Sequence, residues 1–145
     1  MKVRIATASA LTALLAISVA HARDERLKMP IKDAMETAEA KDKLGTDVKF
    51  FFGADKAPKP SQTFGSFTSN KKTNFANKSD AEGCQRAFLS AMIGLKDRAL
   101  REGGNALINI HSVYKDAKFE SATEYECGAG KILGGVALRG TVVKL

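Results

Sequence analysis

The sequence predicts an α+β domain, with one long helix packed on a mostly antiparallel sheet and a short helix near the N-terminus. Three observations predict it. An apolar stripe at helical spacing runs from Cys84 to Ala99, opened by a capping sequence and closed by Gly103-Gly104. Segments of alternating apolar and polar residues flank it on both sides. One cysteine lies on the stripe and the other, Cys127, on the apolar side of a strand-like segment.

The chain opens with a predicted signal peptide over residues 1–22. Lys2 and Arg4 make a basic start, Ala10 to Ala20 is small and apolar apart from Thr12 and Ser18, and Ala20-His21-Ala22 is an A-x-A cleavage site. A spanning helix needs about twenty apolar residues, roughly twice what this run supplies. The reading is a cleaved leader and a product beginning at Arg23, periplasmic, with no stable membrane insertion. No cysteine stands at the cleavage point to carry a lipid. Removing 22 of the 145 residues leaves 123, which suits a single domain over 23–145. The leader takes two cations and no carboxylate, so the formal charge falls from +7 to +5. An exported basic protein meets anionic envelope components rather than nucleic acid, although such a surface also serves solubility alone.

Within 23–145, Ile31, Ala34, Met35 and Ala38 recur at helical spacing, with Pro30 suited to a first turn and Gly45 to a stop, so a helix is expected over Met29 to Leu44. Asp47 to Phe52 reads as a strand, with Val48, Phe50 and Phe52 on one face. Pro58 and Pro60 mark a loop, and Gln62 to Thr68 reads as a second strand pairing back on the first. Phe64 and Phe67 are three apart and share a face only if a bulge intervenes, for which Gly65 is the candidate. Ser69 to Lys78 is polar and reads as a surface loop.

Ser79-Asp80-Ala81-Glu82 is a capping box, and Asp80 and Glu82 suit the positive end of a helix dipole. Cys84, Phe88, Ala91, Met92, Leu95 and Ala99 then form one stripe over about five turns. Gln85, Lys96, Arg101 and Glu102 fall on the other side. Three strands are expected after it: Ala106 to Val113, Phe119 to Cys127, and Gly135 to Leu145. In the first, Ala106, Ile108 and Ile110 alternate with Leu107, Asn109, His111 and Val113.

Cys84 and Cys127 thus point into one interface, and an oxidising compartment favours a disulfide between them. The alternative is two unpaired buried thiols. A redox-active pair lacks its C-x-x-C.

Candidate sites are sparse. His111 is the one histidine beyond the leader, and if its strand pairs with the next, Glu124 and Glu126 align with it as ligands for a divalent metal. The competing reading is an ordinary surface histidine facing surface carboxylates. No other cofactor is suggested. Ser112 points away from His111 on a strand, so no Ser-His pair forms. Gly128-Ala129-Gly130-Lys131-Ile132 lacks the spacing of a phosphate loop and reads as a glycine-rich turn.

The runs Phe64-Gly65-Ser66-Phe67-Thr68-Ser69-Asn70-Lys71-Lys72-Thr73-Asn74, Arg101-Glu102-Gly103-Gly104-Asn105-Ala106 and Gly140-Thr141-Val142-Val143-Lys144-Leu145, with the helix from Asp80, resemble small exported Gram-negative proteins often labelled "excinuclease ATPase subunit". That label implies ATP-driven DNA repair, for which the chain has no Walker A motif. More distantly, the helix, Gly-Gly-Asn-Ala turn and cysteine-bearing strand are similar to the Rcs envelope-stress sensor lipoprotein domain and to YbjQ-like metal-binding domains. The stress sensor carries a lipid-bearing cysteine and two disulfides, which this chain cannot match. The expectation is a non-enzymatic periplasmic binding or envelope-associated protein, stress-related by that resemblance, whose partner is an envelope protein or anionic envelope component. The alternatives are a weak divalent-metal module and, remotely, the nominal excinuclease role.

Overall fold

A computed structural model describes residues 22–145, so the predicted leader lies outside the described residues except for Ala22. The elements are β1 (Asp24–Pro30), α1 (Ile31–Met35), α2 (Ala38–Leu44), β2 (Lys49–Phe52), β3 (Gln62–Asn74), α3 (Asp80–Glu102), β4 (Ala106–Ser112), β5 (Glu124–Gly130) and β6 (Leu133–Lys144). The predicted class holds: one long helix lies on a sheet with four antiparallel pairings and one parallel one.

α3 follows from local chemistry. The Ser79 side chain accepts a hydrogen bond from the Glu82 amide at 3.1 Å, and Gly103 ends the helix in the left-handed region at φ 86°. All six residues of the predicted stripe are buried. Burying Phe88, Met92 and Leu95 fully contributes about 1.5–3 kcal/mol each. They pack on Leu107, Ile110, Tyr125, Val136, Leu138 and Val142 from the sheet, and the Phe88 and Tyr125 rings lie 4.4 Å apart between centroids.

Cys84 and Cys127 form a disulfide that joins this helix to β5, with Cα atoms 5.8 Å apart. Closing 43 residues of chain stabilises by about 2–4 kcal/mol through the entropy of the unfolded state.

β6 is the hub. One edge pairs with β3 along its whole length, and the other takes β5 at Gly134 and Gly135, then β4 from Leu138 to Val143. β1 extends the sheet beyond β5, and β2 lies parallel to β4. Gln62 to Thr68 therefore does not pair with β2 as expected. The strand also continues to Asn74, through residues read as loop, because β6 supplies backbone partners for the whole stretch. The bulge expected at Gly65 is present: the register shifts between Thr63 and Gly65, which has φ 121°.

The helix expected over Met29 to Leu44 is instead the end of β1 and two short helices. Ile31 and Ala34 are buried on one, Ala40 and Leu44 on the other. The six-residue step from Ala34 to Ala40 is out of phase with a 3.6-residue repeat, so an unbroken helix could not turn both pairs inward. Thr37 restarts the chain, its hydroxyl capping the Ala40 amide at 3.1 Å. β1 itself carries a period-two signal in the half-buried Leu27 and Met29.

Candidate anion-binding cleft

The strands holding the predicted metal ligands do not form the expected ladder. β4 and β5 each pair with β6, the other edge of β4 takes β2, and the end of β4 at Ser112 is bridged to Phe119. β4 also bulges at Asn109, a non-glycine residue at φ 50°, which brings Leu107 and Ile110 to the same core-facing side. The alternation expected there, with Ile108 inward and Leu107 outward, is corrected by this bulge.

His111 consequently sits across from Arg139, with Nδ1 2.7 Å from the Asn109 carbonyl. The carboxylate in its vicinity is Glu120. Hydrogen bonds from Lys118 and Asn109, then the charges of Lys118 and His111, hold Glu120 below its ordinary value. Glu124 is exposed at the start of β5, opposite Pro30. Glu126 is buried, with its carboxylate 3.8 Å from Arg26, and its amide donates to Ser112 Oγ at 2.8 Å. Among the described residues no three His, Cys, Asp or Glu side chains gather to hold a metal ion.

A cleft of about 410 Å³ runs between α3 and β3. Ser69 and Lys71 project toward α3 from alternate positions of β3, close to the Gly94 backbone. A β-carbon at position 94 would collide with Ser69 Oγ, so the glycine permits this approach. Arg98 and Arg101, three apart, line the helical wall.

Arg98 is held on two sides. Its Nε donates to Glu102 at 2.7 Å, and its guanidinium lies 3.7 Å from the Phe67 ring centroid. Lys71 and Arg101 make no ion pair among the described residues. The single carboxylate lining the cleft is Asp97. The hydroxyl of Ser69 is buried and has no hydrogen-bond partner. Two uncommitted cations, a positioned guanidinium and the free Ser69 hydroxyl suit an oxyanion.

The cleft is not legible in the sequence, because the polar Ser69 to Asn74 run carries no strand signal and Lys71 therefore has no assignable face. The spacing of Arg98 and Arg101 was the available signal. Compared with known proteins, the chain matches no family model, no curated protein and no solved structure at a significant level.

Proposed function

We propose that this is an exported, non-enzymatic envelope protein that binds an anionic envelope component in the cleft between α3 and β3. The observation that carries the reading is that Lys71 and Arg101, without an ion pair among the described residues, stand with the Phe67-stacked Arg98 along one groove. Such a groove takes phosphate or carboxylate groups by charge-assisted hydrogen bonds, and its binding weakens with salt. Export rests on the leader pattern, and the disulfide suits an oxidising compartment. Among the described residues no helix is long and apolar enough to cross a membrane.

Titrating the purified protein with pyrophosphate while following backbone amides by NMR tests the reading. Saturable shifts at Lys71, Gly94 and Arg101, lost in Arg101→Glu, are expected. Uniform or absent shifts would remove it. Expression of the full chain with N-terminal sequencing of the periplasmic fraction tests export separately, with Arg23 as the expected first residue.

A further inference from the structure

Among the described residues three large apolar side chains are exposed: Leu100, Ile132 and Leu133. Two of them are consecutive, 64% and 59% exposed, at the tip joining β5 to β6. The connection is only Lys131 and Ile132, a position where tight turns favour Gly, Asn, Asp or Ser. Neither turn chemistry nor the core calls for isoleucine and leucine there.

The tip is held in place. The Ile132 carbonyl accepts a hydrogen bond from the amide of Phe75, a buried residue, at 2.6 Å, so the turn is tied to the 75–78 loop beside it. Leu133 pairs with Asn74 at the end of β3. The surroundings are cationic: Lys131 lies in the turn, Lys78 lines the adjoining depression, and Lys72 stands two positions down β3. Asp80, the carboxylate lining that depression, is occupied by the Arg23 guanidinium at 2.6 and 2.9 Å. An apolar point ringed by lysines, with its carboxylate already paired, complements a negatively charged lipid surface.

We propose that the β5–β6 tip docks on an anionic phospholipid bilayer, with Ile132 and Leu133 entering the acyl boundary and Lys131, Lys78 and Lys72 meeting headgroup phosphates. This deepens the envelope reading above and rests on it. It uses a surface distinct from the cleft, since none of these five residues lines the groove between α3 and β3. Two side chains give weak, reversible attachment, so the protein samples the membrane rather than residing in it.

Vesicle flotation with the purified protein tests the proposal directly. Vesicles of phosphatidylglycerol and phosphatidylethanolamine should carry the protein, and pure phosphatidylcholine should not. The double variant Ile132→Ser/Leu133→Ser should bind about tenfold more weakly, and Lys131→Glu should also weaken binding. Because the chain contains no tryptophan, Ile132→Trp supplies a single reporter. Its emission should shift to the blue on anionic vesicles and be quenched by lipids brominated along the acyl chain. Unshifted emission, or equal binding by the serine variant and the parent, overturns the proposal. Vesicle binding lost in Lys71→Glu/Arg101→Glu but kept in the serine variant overturns it too, assigning lipid to the cleft and leaving the cleft reading intact. Flotation in vitro does not depend on export, so failure of the compartment reading shows only in the fractionation experiment.

Discussion

Asn109 donates its side-chain amide to the carbonyl of Gly53 at 3.0 Å, tying the bulge of β4 to the residue that ends β2. The same amide reaches Glu120 at 2.9 Å. Both residues have positive φ, 50° at Asn109 and 57° at Gly53. Asparagine tolerates that region because its short side chain can bond nearby backbone, and glycine because it has no β-carbon. The tie places Ile110 in the core and turns His111 to the outer side beside Arg139.

Gly53→Ala should therefore be among the costlier single substitutions outside the core. A β-carbon there would come within 2.8 Å of the Ser121 backbone, on a left-handed residue. The expected loss is about 2–4 kcal/mol by urea denaturation. Asn109→Ala should cost about 1–2 kcal/mol, and Asn109→Gly less, since glycine removes the conformational part and leaves only the lost hydrogen bonds. Equal losses for alanine and glycine at 109 would show that the backbone conformation carries no cost there.

Cys84→Ser should lower stability by about 2–4 kcal/mol, and dithiothreitol should lower that of the parent protein by a similar amount while leaving the variant unchanged. Calorimetry with and without reductant provides the comparison. The serine hydroxyl would enter a fully buried site, which adds to the cost of that variant relative to Cys84→Ala.

Tyr125 carries a buried hydroxyl without a hydrogen-bond partner, and burial, then the charge of Asp33, pushes the phenol above its ordinary value of 10. Tyr125→Phe should thus be neutral or stabilising by up to about 1 kcal/mol, because it removes an unsatisfied group and keeps the ring against Phe88. The unfolded chain releases the tyrosine proton near pH 10 while the folded chain keeps it. Stability from this group is present below pH 10 and falls as pH rises above it. The phenylalanine variant should lose less stability in that alkaline range, read by chemical denaturation at stepped pH.

At the acid end the sign reverses. Hydrogen bonds from Arg23 hold Asp80 below its ordinary 3.8, and Lys43 and Lys118 do the same for Glu39 and Glu120 relative to 4.5. Each contributes stability that is present above the ordinary value and lost as pH falls through the lowered one. All three are exposed pairs, so their contribution is small and screened by salt. Melting temperature should decline below about pH 4.5, and Asp80→Asn should flatten part of that decline at low ionic strength.

Some elements were legible because their causes are local. α3 closes its own hydrogen bonds within four residues, so the Ser79 cap, the stripe from Cys84 to Ala99 and the Gly103 stop contain nearly all that decides it. The same stripe, with the alternation at Tyr125 and Cys127, aimed the two sulfurs at one interface. Gly65 between Phe64 and Phe67 marked a bulge for a similar reason, since two aromatics three apart cannot share a flat strand face.

A strand makes its ladder hydrogen bonds to other strands, outside its own sequence. Ser69 to Asn74 is polar enough to be a loop, and it is a strand because Leu133 to Leu138, 59 to 69 residues on, offer it a ladder. The charged Asp24–Pro30 segment becomes an edge strand because β5 is there to pair with it. The break at Thr37 was decided by where the core lies rather than by helix propensity. The cleft depends on this same tertiary choice: Lys71 meets Arg98 and Arg101 only once β3 lies beside α3. So do the surroundings of His111, since the strand it was expected to face pairs elsewhere and Asn109 reverses the alternation just before it. The sequence by itself determined the α+β class, the long helix and its caps, and the facing cysteines; strand partners and side-chain neighbourhoods were decided by tertiary structure, because both depend on contacts between residues remote in the chain.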